Sequence, residues 1–210
     1  MFRTVFLLYP YENIVFLNTM KKVLTFLVVV TLLISCNKNN PVVIIETDFG
    51  VIEVELYKNK APITSDNFIK YIQENRNEGA TFYRVVKQDN QPKSKVKIEV
   101  IQGGLYEDNH PQNLAPIVHE STKLTGIKHL DGVISMARYE PGTATFEFFI
   151  CVGDQPSLDF GGSEYKDNNG FAAFGKVIKG MDVVWEIQRQ PEKDQYLTPR
   201  IPITSMEIIP

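Results

Sequence analysis

The run from Ile134 to Ile150, Ile-Ser-Met-Ala-Arg-Tyr-Glu-Pro-Gly-Thr-Ala-Thr-Phe-Glu-Phe-Phe-Ile, constrains the fold more than any other stretch of the chain. It reads as a strand, an irregular polar loop and a second strand rich in aromatics, and few folds need those three at this spacing. In the second strand, alternation sets Phe148 and Ile150 on one face and Phe149 on the other. Both faces of that strand therefore carry large apolar side chains.

The flanking sequence supplies more short strands. Val42 to Thr47 and Val51 to Leu56 read as an opening hairpin turned at Asp48-Phe-Gly50. Ala61-Pro-Ile-Thr64 starts a helix with Thr64 as the expected N-cap, and Phe68, Tyr71 and Ile72 share one face of it. Further strands are predicted at Thr81 to Val86, Lys95 to Gly103, Gly132 to Ala137, Thr145 to Val152 and Phe174 to Ile178, with a last one at Met206 to Ile209. A second helix is predicted over Met181 to Arg189, with Met181, Val184, Trp185 and Gln188 on one side. Many short strands with two helices argue for a mostly antiparallel closed sheet in one domain, rather than alternating strand-helix units.

The first 40 residues differ from the rest. Lys21-Lys22 precedes an apolar or Thr run from Val23 to Ile34, followed by Ser35-Cys36. This is the form of a secretory signal, and its apolar run spans only about 18 Å as a helix, against roughly 30 Å of bilayer hydrocarbon. Residues 1–35 are thus expected to be a leader, with Met20 a better start than Met1 because signals begin at their charged end. Leu33-Ile-Ser-Cys36 resembles the lipobox of bacterial lipoproteins, which implies acylation of Cys36, a tether over residues 36–41 and a domain over 42–210. An ordinary cleaved signal with an incidental cysteine is the alternative. The leader carries Arg3, Lys21, Lys22 and Glu12, so the remainder holds 19 basic and 24 acidic side chains, a net charge of −5. An acidic surface excludes nucleic acid as the expected partner. Cys151, the other cysteine, reads as a small buried apolar residue. His110, His119 and His129 lack the spacing of a metal-ligand set, so no metal or cofactor is expected.

Taken together, Phe82-Tyr-Arg84, Gln102-Gly-Gly104, the 134–150 stretch and Phe171-Ala-Ala-Phe-Gly-Lys-Val177 resemble the cyclophilin family of peptidyl-prolyl isomerases, from about Val42 to Ile209. The resemblance implies an eight-stranded antiparallel β-barrel with a helix at each end, acting as a monomer on proline-containing segments of exported or unfolded proteins. The leader places that activity outside the cytoplasm, anchored by lipid on the periplasmic side of a bacterial envelope.

An Xaa-Pro amide rotates over a barrier of about 18 to 20 kcal/mol because rotation destroys amide resonance. In the twisted state the proline nitrogen becomes a hydrogen-bond acceptor, so a fixed cationic donor beside it favours that state over either planar isomer. Guanidinium is always charged and offers its donors in a rigid fork. The resemblance assigns this catalytic role to Arg84, with Gln102 orienting it and binding substrate backbone. It makes Phe149 the floor of the proline pocket, and it places Ala137 and Arg138 along the groove. Leu158 is a further apolar wall.

The chain departs from the family pattern in four places. Between Arg84 and Gln102 stand 17 residues, about ten more than usual, and the extra segment, roughly Lys87 to Val96, is expected to form a longer hairpin or loop beside the groove. Ungapped matching places Glu99 and Val100 where the family has phenylalanine and methionine. Val100 can replace part of that wall and Glu99 cannot, so either the register shifts or the pocket is more open and polar. Phe171 stands where a histidine or aromatic is usual and can rebuild the wall. Glu147 replaces a glutamine, keeping the acceptor and losing the amide donor. Near Leu158 the tryptophan that contacts cyclosporin is missing, which implies weak cyclosporin binding. Glu99 and Glu147 also motivate a rival reading, a proline-peptide binding module or holdase with little turnover.

Overall fold

The computed structural model describes residues 40–209. The leader, Cys36 and residues 36–39 of the tether lie outside the described residues. At the edge of the tether, Pro41 O accepts from Leu56 N at 2.9 Å and the Asn40 amide donates to Glu55 at 3.1 Å.

The chain opens with the expected hairpin, β1 (Val42–Thr47) and β2 (Gly50–Leu56). Val43, Ile45, Ile52, Val54 and Leu56 alternate inward, as a strand with one buried face requires. Helix α1 follows (Pro62–Gln73), then β3 (Thr81–Val86), β4 (Val100–Gly104), the single turn α2 (Thr122–Thr125), β5 (Val133–Met136) and β6 (Phe148–Cys151). A 3₁₀ turn (Pro156–Leu158) leads to β7 (Ala172–Lys179), α3 (Met181–Gln188), the two-residue β8 (Glu192–Lys193) and β9 (Tyr196–Ile209). The strand order is β1-β2-β7-β5-β6-β4-β3-β9, all antiparallel, and β9 also pairs with β1. That last pairing closes eight strands into a barrel and removes the open edges of the sheet.

The barrel is filled from both ends. Phe68 on α1 packs against Phe146, Phe148 and Phe174 at ring-centroid distances of 5.3, 5.4 and 5.2 Å. Val184 and Ile187 from α3 join the same core. A second, smaller cluster of Val86, Ile98, Val100, Phe149, Cys151 and Leu158 lies apart from it, with Ala137 and Phe171 packed against it. Phe148 and Ile150 belong to the first cluster and Phe149 to the second, as alternation predicts.

Several expectations need correction. Thr64 is not the N-cap of α1. That position is Ala61, with Pro62 starting the helix, where its missing N–H costs nothing. Thr64 instead donates both N and Oγ1 to Glu120 at 2.7 Å. The buried face of α3 is Val183, Val184, Ile187 and Gln188, leaving Trp185 44% exposed. β4 begins at Val100, not Lys95, and β6 begins at Phe148, not Thr145. The closing strand starts ten residues before the expected Met206, at Tyr196. Pro199 and Pro202 hide it from a sequence reading, since proline cannot donate to a ladder; both sit at exposed positions of β9. Beyond the two expected helices there is also the single turn α2.

Candidate active site

Arg84 on β3 and Gln102 on β4 are paired residues of one antiparallel ladder. Beside them β3 carries a bulge between Phe82 and Arg84, and both of its neighbours, β4 and β9, skip Tyr83. A bulge re-aims a side chain that strict alternation would send to the opposite face. Tyr83 therefore lines the same cleft as Arg84, although the two are adjacent in a strand.

The bulge builds a continuous polar chain. Gln195 Oε1 accepts from Arg84 Nε at 3.0 Å and from Nη2 at 2.6 Å. On the other edge of the guanidinium, Arg84 Nη1 donates to Gln102 Oε1 at 2.9 Å. Gln102 Nε2 donates to the Tyr83 hydroxyl at 2.6 Å, and that hydroxyl donates to Glu147 Oε2 at 2.5 Å. Glu147 Oε1 accepts from Tyr106 N at 2.9 Å. Burial pushes the Glu147 carboxyl up, while the bonds from Tyr83 and from backbone N–H groups pull it back. Burial, reinforced by the Glu147 charge, raises the Tyr83 hydroxyl strongly, so it remains a donor. The chain's turn out of β4 depends on Gly104, whose φ is +145° and where a Cβ would meet the Glu147 carboxylate at 2.5 Å. Three of the five guanidinium N–H groups are taken, leaving one on each Nη.

Next to this chain is an apolar pocket. Phe149, 5% exposed, is its floor, with Val100, Leu158 and Phe171 around it. The Phe171 ring meets Phe149 edge-on at 5.4 Å. Behind Phe149 lies the buried His129 ring, stacked at 6.0 Å and held by Asp159 Oδ1 at 2.9 Å and Ser135 Oγ at 3.0 Å. Burial pushes the Asp159 carboxyl up, but its bonds from the His129 ring and backbone, with Lys128 at 3.4 Å, outweigh this and hold it below the usual carboxylate range. Cys151, a member of the outer cluster, is a free thiol pushed up by burial.

All nine residues named from the sequence, Arg84, Gln102, Val100, Ala137, Arg138, Glu147, Phe149, Leu158 and Phe171, line one cleft of about 430 Å³. That volume is ordinary for a ligand site. The Arg138 side chain is only 1% exposed: it pairs with Asp167 at 2.8 and 3.0 Å, bonds Gly170 O, and lies over the Phe171 ring at 5.1 Å. Its charge is spent on holding Phe171 and the 160–170 loop. Trp185 is not part of the cleft.

The two residues behind the binding-only reading leave the cleft intact. Glu99 is outside the lining and takes a hydrogen bond from Gln88 at 3.3 Å. Ile98 takes the place left for an apolar wall, because Ile98, Val100 and Gln102 fall on one face by simple alternation. Glu147 is an acceptor at the end of the polar chain. Sequence reasoning missed Tyr83, Ile98, Tyr106, Glu164, Tyr196 and Gln195. Tyr83 needs the bulge and Gln195 comes from over 100 residues away, in the tight β8–β9 turn where Asp194 and Gln195 have φ of 53° and 76°. Only Ile98 was available from alternation. Glu164 lines the cleft with its carboxyl pushed up by burial and drawn down by Arg84. Among the described residues, no group of three or more His, Cys, Asp and Glu could hold a metal.

Chemically, the arrangement offers a rigid fork with two open N–H groups in the same cleft as an apolar floor. An apolar ring seated on Phe149 would present its nitrogen to those donors only when that nitrogen becomes an acceptor.

Residues 42–208 match the family described as cyclophilin type peptidyl-prolyl cis-trans isomerase/CLD. The chain is 37% identical over 173 residues to a peptidyl-prolyl cis-trans isomerase of Acinetobacter baylyi, covering 81% of this chain and 84% of that protein. It is 34% identical over 145 residues to peptidyl-prolyl cis-trans isomerase B of Escherichia coli, covering 68% and 80% respectively. A crystal structure of a Cryptosporidium parvum cyclophilin type peptidyl-prolyl cis-trans isomerase, in the presence of the dipeptide Ala-Pro, matches with a TM-score of 0.62 over 80% of this chain and 99% of that one. At 21% identity that likeness is one of fold.

Proposed function

The chain belongs to the cyclophilin-type peptidyl-prolyl cis-trans isomerase family and is a peptidyl-prolyl cis-trans isomerase, and on that premise we propose how its residues divide the work and where it acts. Arg84 supplies the transition-state hydrogen bond to the proline nitrogen. Gln102 orients that guanidinium and binds substrate backbone, while Phe149, Val100, Leu158 and Phe171 seat the ring. Ala137, Arg138 and Glu147 shape the groove along which the peptide runs. The observation that carries this reading is the Arg84 guanidinium, held on both edges by Gln195 and Gln102 beside the Phe149 floor. A donor fixed before substrate arrives costs no reorganisation when the amide twists. The Ala-Pro dipeptide present with the Cryptosporidium protein is in keeping with a ring pocket of this kind.

The test is a peptide assay following cis-to-trans conversion in the wild type and Arg84→Ala. Loss of one preorganised donor should lower kcat/KM by about 10² to 10³, or roughly 3 to 4 kcal/mol. Equal rates would overturn the role given to Arg84 while leaving peptide binding in place.

The protein acts as a monomer on proline-containing segments of exported or unfolded proteins, anchored on the periplasmic side of a bacterial envelope by lipid on Cys36. The support is sequence: Lys21-Lys22, the apolar run to Ile34 and Leu33-Ile-Ser-Cys36. Metabolic labelling with a fatty acid should mark the wild type and not Cys36→Ser. Label in neither protein contradicts the anchor.

A further inference from the structure

The polar segment between β3 and β4 touches both halves of the cleft. It forms no hairpin: residues 87–97 run as turns and bends, tied down by two side-chain amides. Asn90 Oδ1 accepts from Lys87 N at 2.8 Å, and Asn90 Nδ2 donates to Val85 O at 3.0 Å and Glu192 Oε1 at 3.2 Å. Asn90 O in turn accepts from Gln195 Nε2 at 3.2 Å, and Glu192 Oε2 accepts from Gln195 N at 2.5 Å. A primary amide has a donor end and an acceptor end, so engaging Nε2 decides where Oε1 points. Here it points at Arg84, taking both Nε and Nη2. Turned the other way, Gln195 would set an NH₂ group against the guanidinium.

The second anchor is Gln91, 6% exposed. Its Nε2 donates to Lys87 O and to Ile98 O at 2.8 Å each, and its Oε1 accepts from Ile98 N at 3.3 Å. Ile98 lies two residues before β4 begins, where the ladder offers its backbone no partner. The Gln91 amide meets both backbone groups of Ile98 as a strand would, and the Ile98 side chain lines the ring pocket with Val100.

We propose that this loop is a positioning device for the isomerase site, Asn90 holding Gln195 against Arg84 and Gln91 holding Ile98 in the pocket wall. The inference rests on Arg84 being the catalytic donor. The two contacts act on different steps: Gln195 steadies the group that favours the twisted amide, and Ile98 meets the ring in every state. The first should appear in kcat and the second in KM.

The experiment is a peptide titration with cis/trans exchange read by NMR on wild type, Gln195→Leu, Gln91→Met and Arg84→Ala, with a thermal melt for each. Gln195→Leu should lower kcat about tenfold with KM within about twofold, and its melt should fall no further than that of Arg84→Ala, which loses the same two bonds. Gln91→Met keeps the volume and removes the three bonds; KM should rise about fivefold with kcat within about twofold. Gln195→Asn, which keeps an amide, should recover part of the lost kcat. If Gln91→Met fails to fold, the Gln195 pair alone decides the Arg84 arm. Wild-type kcat and KM in both variants, or equal falls in kcat and rises in KM that track the melts, would overturn the proposal. An Arg84→Ala variant with the wild-type rate would instead remove the reading beneath it, so the two failures are distinguishable.

Discussion

The wall formed by Arg84, Gln102, Tyr83 and Glu147 and the wall formed by Val100, Phe149 and Leu158 share the strands β3, β4 and β6 or lie against them, yet they are held in opposite ways. In the first, each polar group is placed by a directional bond to the next, and the chain runs from Gln195 to Tyr106 without a gap. In the second, the side chains are placed by packing in the outer cluster. Packing is non-directional and tolerates a neighbour of similar volume, whereas a hydrogen-bonded chain loses its end when a middle member loses a donor. Ring binding should therefore degrade gradually under substitution, and turnover abruptly.

The largest effect that sharpens this contrast is on Phe149. Phe149→Ala should cost about 3 to 5 kcal/mol of stability, since the ring is packed between His129 and Phe171, while Phe149→Leu should cost less than about 1.5 kcal/mol. With Leu, peptide KM should rise and kcat hold in an assay over peptide concentration. A fall in kcat at constant KM would break the distinction between the walls.

Asp159 tests whether the apolar wall depends on the polar support behind it. Asp159→Asn weakens the bonds that hold His129 under Phe149, and should cost about 1.5 to 3 kcal/mol near neutral pH in urea unfolding. The Asp159 carboxyl is held low in the fold, so its contribution is complete above the unfolded value of about 3.9 and is lost as pH falls through the native value. The gap between wild type and Asp159→Asn should therefore be constant above about pH 5 and narrow in more acid solution. A gap that widens on acidification contradicts the assignment.

The smallest effect concerns Glu164. Its carboxylate shares the cleft with Arg84, and Glu164→Gln should reduce any preference for a lysine-bearing over a glutamate-bearing peptide by about two- to threefold at low salt, with less change at high salt. Equal preference in both proteins at every ionic strength would show that Glu164 does not sense the substrate.

The same contrast explains what could be read from the sequence. Phe148, Phe149 and Ile150 announce their faces by alternation, and the barrel strands β1 and β2 follow from the same rule. Arg84 and Gln102 are named through resemblance alone, and the structure makes them ladder partners. Tyr83 was hidden because a bulge cancels alternation at that one residue. Gln195 was hidden because its partner is over 100 residues away, and Asp194-Gln195 is a weak turn signal beside the usual Asn-Gly or Asp-Gly. Val100 to Gln102 pair with Val86 to Arg84 in one ladder, and Ile98, just beyond the 87–97 loop, lines the pocket beside Val100. Long-range polar contacts have no period, so nothing local in a sequence marks them.

The central claim is that turnover needs a cation whose donors are fixed in place, and not merely a positive charge. Arg84→Lys separates the two, because an ammonium keeps the charge but cannot bridge Gln195 and Gln102 with a rigid fork. Cis/trans exchange of a saturating proline peptide, measured by NMR in the wild type and Arg84→Lys, should slow by about 10²-fold while the peptide still binds within about threefold of its wild-type affinity. Exchange in Arg84→Lys at more than about half the wild-type rate would contradict the account.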